Sequence, residues 1–168
     1  HPMLLPTIGM IILFNSGSVL EFLPQQAKKV ILLIVFVSTA ILPLTFVPFF
    51  IFQKIVTSVQ MDHAKERLIP FLVTSILYTF SYYLLIRLGA PSTIAKFILI
   101  GAITVFALFL LSFFWKISAH MAGIGGLFGA LIAISFMLNV NLEYYIISAA
   151  VVSGILGFSR LMLEKHNP

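Results

Sequence analysis

The chain has 168 residues, of which 61% are hydrophobic and 9% charged, with 17 Phe and no Cys; its mean hydropathy is +1.14. Soluble domains carry about 25% charged and roughly 45–50% apolar residues, so a water-soluble, disordered, coiled-coil or collagen-like chain is excluded, and disulfide or thiolate chemistry with it. What remains is an integral membrane protein, read as a single domain over 1–168. Its net charge of +5 sits at the ends of apolar runs, where it meets lipid headgroups or an anionic substrate rather than nucleic acid.

A helix needs about 20 mostly apolar residues to cross the hydrocarbon core. Six apolar stretches follow one another, at 3–14, 30–52, 68–86, 94–115, 119–138 and 142–163. The first is short for a span. The second carries Pro43 and Pro48, which predict a kink and freed carbonyls in its second half. Gly89-Ala90-Pro91-Ser92 and Asn139-Val140-Asn141 are turns by composition, and the longest polar stretch runs from Gln53 to Arg67. None of the runs alternates with the period of a membrane β-strand. The expected fold is all-α, a polytopic bundle of about six transmembrane helices. Gly125-x3-Gly129 on the fifth segment and the small residues Ala149, Ala150, Ser153, Gly154 and Gly157 on the sixth predict that these two pack together. Trp115 with Phe113 and Phe114, and Tyr144 with Tyr145, suit aromatic belts at opposite interfaces. Tyr78, Tyr82 and Tyr83 are read as packing residues, with a lipid groove as the alternative.

If every segment crosses once, successive loops alternate between the two faces. One face then collects Lys54, His63, Lys65, Arg67, Lys116, His120, Arg160, Lys165 and His166. Arg67, Lys116 and Arg160 each stand at the boundary of an apolar segment, where an ionisable group is costly and seeks a partner. A bound anion would compensate them, and phosphate suits the fork of Arg. Plain interfacial anchoring is the competing reading of the cations. Of the three histidines on this face, His120 and His166 favour the first, because histidine serves as nucleophile, acid or base near neutral pH.

Ser159-Arg160-Leu161-Met162-Leu163-Glu164-Lys165-His166 reads Ser-Arg, five residues, His. It resembles the third signature of the type 2 phosphatidic acid phosphatase superfamily, Ser-Arg-x5-His-x3-Asp. Ile117-Ser118-Ala119-His120 resembles the second, Pro-Ser-Gly-His, with Pro and Gly replaced. Lys65-Glu66-Arg67-Leu68-Ile69-Pro70 is a shorter echo of the first, Lys-x6-Arg-Pro. The order of the motifs matches, as does their separation by pairs of membrane segments.

The resemblance implies that His166 attacks phosphorus to form a phosphohistidine and that His120 protonates the leaving oxygen. It implies that Arg67, Arg160 and Lys65 hold the phosphoryl oxygens, with Ser118 and Ser159 as further phosphate contacts. No metal or other cofactor enters this scheme, and the partners are a lipid phosphate substrate and membrane lipids. The implied location is the bacterial cytoplasmic membrane. The Asp of the third signature falls four residues after His166, past Pro168, and the chain opens on His1 without an initiator Met. Two expectations follow: either the sequence is cut short at one or both ends, or the catalytic set is incomplete. Two alternatives stand beside the enzyme: an inactive relative that binds anionic lipid, and a small transporter or structural bundle. The second is weakened by mid-segment polar groups limited to Ser, Thr and Tyr. A prenyl-transferring enzyme would need Asp pairs for Mg²⁺, and Asp62 is the sole Asp.

Overall fold

A computed structural model describes residues 2–54, 56, 64–115 and 117–164. Every regular element among the described residues is helical. We number six helices: α1 (Leu5–Phe14, entered by a 3-10 turn at Pro2–Leu4), α2 (Gln25–Phe52), α3 (Leu68–Arg87), α4 (Ser92–Leu111), α5 (Ala119–Leu138) and α6 (Glu143–Glu164). Helices α2 to α5 are long and apolar enough to cross a membrane, and no more than a third of the apolar window of each is buried inside the protein. The remainder exposes side chains such as Leu33, Phe80, Ile103 and Phe136, a surface that lipid solvates and water does not.

The six helices coincide with the six apolar stretches, with instructive shifts at their ends. Helix α2 begins at Gln25, five residues before the apolar run, because Gln, Ala and Lys continue a helix well outside the hydrocarbon. Its 28 residues span about 42 Å, against about 30 Å of hydrocarbon. Lys28 lies over the Phe14 ring, 5.8 Å from its centroid, and donates to the Glu21 carbonyl at 2.6 Å. Helix α4 stops at Leu111, where buried Ser112 caps it and donates to the Leu108 carbonyl; Phe113 to Trp115 leave in a turn.

The irregularity in α2 sits ahead of its prolines. Val37–Ile41 form a π-helical turn, in which the Leu42 amide reaches back to the Val37 carbonyl. Pro43 has no amide to offer and its ring crowds the carbonyl four residues earlier, that of Thr39. Widening the preceding turn by one residue relieves that clash. The same turn buries Ser38, Thr39 and Ala40, and the Thr39 hydroxyl meets the Met3 carbonyl at 3.4 Å.

Helix α1, the short one, occupies the centre. Met10 and Leu13 are wholly buried, and α1 touches α2, α4 and α5. Gly9 allows this approach: a Cβ there would lie 2.5 Å from the Phe97 ring and 3.2 Å from Leu127. Helices α3 and α4 form the most extensive pair, and α6 rests on α5. The latter pairing was expected, but the Gly125-x3-Gly129 motif does not carry it. A Cβ at Gly125, Gly129 or Gly154 would meet nothing within 4 Å, while one at Gly157 would touch Met121. Ile124, Leu127 and Leu131 of α5 and Ala149 of α6 are buried in the common core, and the tight glycine of α5 is Gly123, facing Leu5 and Pro2 of the N-terminal segment.

Both expected turns form. Gly89, at φ +69°, closes the α3–α4 turn, with the Ala90 amide on the Leu85 carbonyl. Asn139, at φ +51°, closes the α5–α6 turn, with the Val140 amide on Ser135.

Candidate functional site

At the end of the bundle where α3 and α5 begin, the two earlier motifs meet. Arg67 is the residue before α3, at the close of a 3-10 turn over Ala64–Arg67. Its guanidinium donates to the carbonyl of Ile117 at 2.6 Å. Ile117 opens the segment Ile117-Ser118-Ala119-His120, so the cation of the first motif is held against the backbone of the second. Both Arg67 and His120 are half-buried.

Ser118 is the N-cap of α5, its hydroxyl oxygen accepting the Met121 amide at 3.4 Å. A Ser in this place ends the extended approach and starts the helix, which accounts for Ser118 structurally and leaves its hydroxyl proton to donate. His120 follows in the first turn, where backbone amides point out of the helix and the macrodipole favours negative charge.

The third motif approaches through α6. A Cβ on Gly157 would lie 3.4 Å from Met121, which sets the last turns of α6 beside the first turn of α5, and Ser159 and Arg160 follow within one turn. The Ser159 hydroxyl is exposed and donates to the Ile155 carbonyl of its own helix at 2.8 Å. For Lys65 and Arg160 the backbone alone is described, and His166, the expected nucleophile, lies outside the described residues, as do His63 and Lys116. The structure therefore bonds Arg67 to the segment that carries Ser118 and His120 and brings the backbone of Ser159 and Arg160 to the same end.

Two features escaped sequence reasoning. One is the Arg67–Ile117 bond, which spans 50 positions and has no periodic signature. The other is a cavity of about 130 Å³ among α1, α3, α4 and α5, running from Phe71 and Ala119 at the motif end to Phe97 and Ala130 deeper in the bundle. Tyr78, buried and facing Thr39, forms part of its wall, so of the three tyrosines read as packing residues this one borders the cavity; Tyr82 packs against the core, and Tyr83 is exposed.

The hydroxyls of the membrane helices mostly bond within their own helix. Thr74 donates to Pro70, Thr79 to Ser75, Thr104 to Ile100 and Ser153 to Ala149, each turned back one turn. Ser75 instead crosses to the Ala102 carbonyl of α4 at 3.3 Å. Comparison with known proteins matches this chain to no family model, no curated relative and no solved structure.

Proposed function

We propose that this membrane bundle is a lipid phosphatase of the type 2 phosphatidic acid phosphatase kind, hydrolysing a lipid phosphate monoester or diphosphate. The observation that carries the reading is the Arg67–Ile117 hydrogen bond, which draws the first-motif cation onto the segment bearing Ser118 and His120. A motif match alone would not require these segments to touch.

In this reading the phosphate enters at the start of α5, among Arg67, Arg160 and Lys65, which neutralise its developing charge. An imidazole nitrogen of His166 attacks phosphorus, the phosphorus–oxygen bond to the lipid breaks, and His120 gives its proton to the departing oxygen. Water then attacks the phosphohistidine, with neutral His120 taking its proton, and inorganic phosphate leaves. The lipid alcohol stays in the bilayer, which we take to be the bacterial cytoplasmic membrane. Back-bonded hydroxyls along the helices speak against a polar path for ions.

The experiment is phosphate release from a panel of lipid phosphates by purified protein, wild type beside His166→Ala, with a chelator present. Chelator-resistant release that disappears with the substitution supports the enzyme. Equal release from both folded proteins, or none from either, overturns it. The second reading, an anionic-lipid binder without turnover, draws on the fact that Arg67 also serves the backbone of Ile117; it predicts lipid phosphate binding with no release.

A further inference from the structure

We infer that the cavity between α1, α3, α4 and α5 receives one hydrocarbon chain of the lipid whose phosphate sits at Arg67 and His120, and that Gly126 sets how far the chain enters. The identity of the head group rests on the phosphatase reading; the occupation of the cavity by a chain does not.

Position is the first argument. The cavity wall begins at Ala119, the neighbour of both Ser118 and His120, and extends along α5 to Ala130, about 16 Å at the rise of an α-helix. An amphiphile with its anion at the cationic mouth would direct its tail down this wall.

Chemistry is the second. The threonines on the wall, Thr74 and Thr104, donate to their own helix carbonyls, so their hydroxyl protons are spent within the helices. Water is held in a cavity by two to four polar partners, and apolar cavities of roughly 150 Å³ stay dry and accept hydrocarbon. At about 130 Å³ this one suits a short stretch of alkyl chain.

The glycines supply the third argument. Gly101 and Gly123 also border the cavity, but a Cβ on either would press on a neighbour, the Tyr78 ring at 3.3 Å or Leu5 at 2.8 Å. Those two permit close packing. A Cβ on Gly126 would meet nothing within 4 Å, so no neighbour requires glycine there, and its missing side chain leaves the passage open.

Lipid outside the protein is as apolar as the cavity, so burial of the tail adds little affinity. What the cavity contributes is position: a chain held in one groove fixes the head relative to His120, and misplacement of a reacting group is costly in rate.

The test uses dodecyl phosphate carrying a diazirine near the far end of its chain, with the full protein in phosphatidylcholine vesicles. Photolysis followed by peptide mapping is expected to label the wall residues Phe97, Gly101 and Ala130. In Gly126→Leu the wall labelling and the release from dodecyl phosphate should each fall at least about tenfold, while release from butyl phosphate stays unchanged. Gly126→Ala, a smaller intrusion, should give an intermediate loss and guards against misfolding of the larger variant. Labelling of lipid-facing residues such as Ile103 and Phe136, unaltered by either substitution, overturns the inference whatever the enzyme does. Wall labelling with no release from any substrate keeps the groove and sinks the phosphatase; release with outward labelling alone does the reverse.

Discussion

The two ends of the bundle solve the same problem differently. Where α3 meets α4 and α5 meets α6, polar groups are satisfied close by in sequence. Arg87 donates to the Tyr83 hydroxyl four positions away, the Asn141 side chain accepts the Glu143 amide two positions away, and Lys28 reaches the Glu21 carbonyl across seven. At the motif end Arg67 crosses 50 positions to Ile117. Local bonds are enough to turn a chain between helices. A half-buried guanidinium anchored across the bundle constrains two segments at once, a cost that folding of the first end shows to be unnecessary for the turn itself. The difference is why the proposed site is set at the motif end.

That comparison is open to attack by substitution. His120→Asn should lower phosphate release by about 10²–10⁴-fold, the usual worth of a positioned general acid, with thermal unfolding unchanged; a smaller loss would remove His120 from the chemistry. Arg67→Ala should lower kcat/KM by roughly 10²–10³-fold and also reduce stability by about 1–3 kcal/mol, since the Ile117 carbonyl loses a charged donor. Its mate at the other end, Arg87→Ala, should leave activity intact and cost no more than about 1 kcal/mol. Equal effects of the two arginines on activity would erase the distinction between the ends.

Smaller effects sharpen the structural half. Gly9→Ala should destabilise by about 1–3 kcal/mol, because the added methyl drives the Phe97 ring from its place; unaltered unfolding would show that α1 is not held at the centre as described. Lys54 ends α2 at φ +56°, a left-handed conformation that costs a side-chain-bearing residue roughly 1 kcal/mol. Lys54→Gly should therefore raise stability by about that much, measurable as a small upward shift in Tm, without changing release.

Much of the fold was legible in the residues. Runs of apolar side chains separated by Gly89-Ala90-Pro91 and Asn139-Val140-Asn141 mark helices and turns directly, because a membrane demands internally bonded backbone. Pairing was less legible. Hydropathy is blind to which helix touches which, since lipid and protein interior are equally apolar, and small residues alone misdirect: Gly125 and Gly129 face open space while Gly9 and Gly123 make the close approaches. The segment that forms α1 is short for a span, which says nothing of its place, and its burial sets it at the centre. The wide turn at Val37–Ile41 came from Pro43 acting on the turn before it. At the candidate site the alternation of loops brought Arg67, Ser118 and His120 to one end, and the structure bonds the first to the segment that carries the other two; that bond to a main-chain carbonyl leaves no trace in composition or spacing.

The central claim is a covalent one, and the most direct measurement is to look for the intermediate. Wild-type protein mixed with a phosphorus-labelled lipid phosphate in the presence of a chelator, quenched in base, should carry an acid-labile phosphoryl group on His166, and His166→Ala should carry none. Release of phosphate with no labelled protein, or label retained after that substitution, would contradict the account.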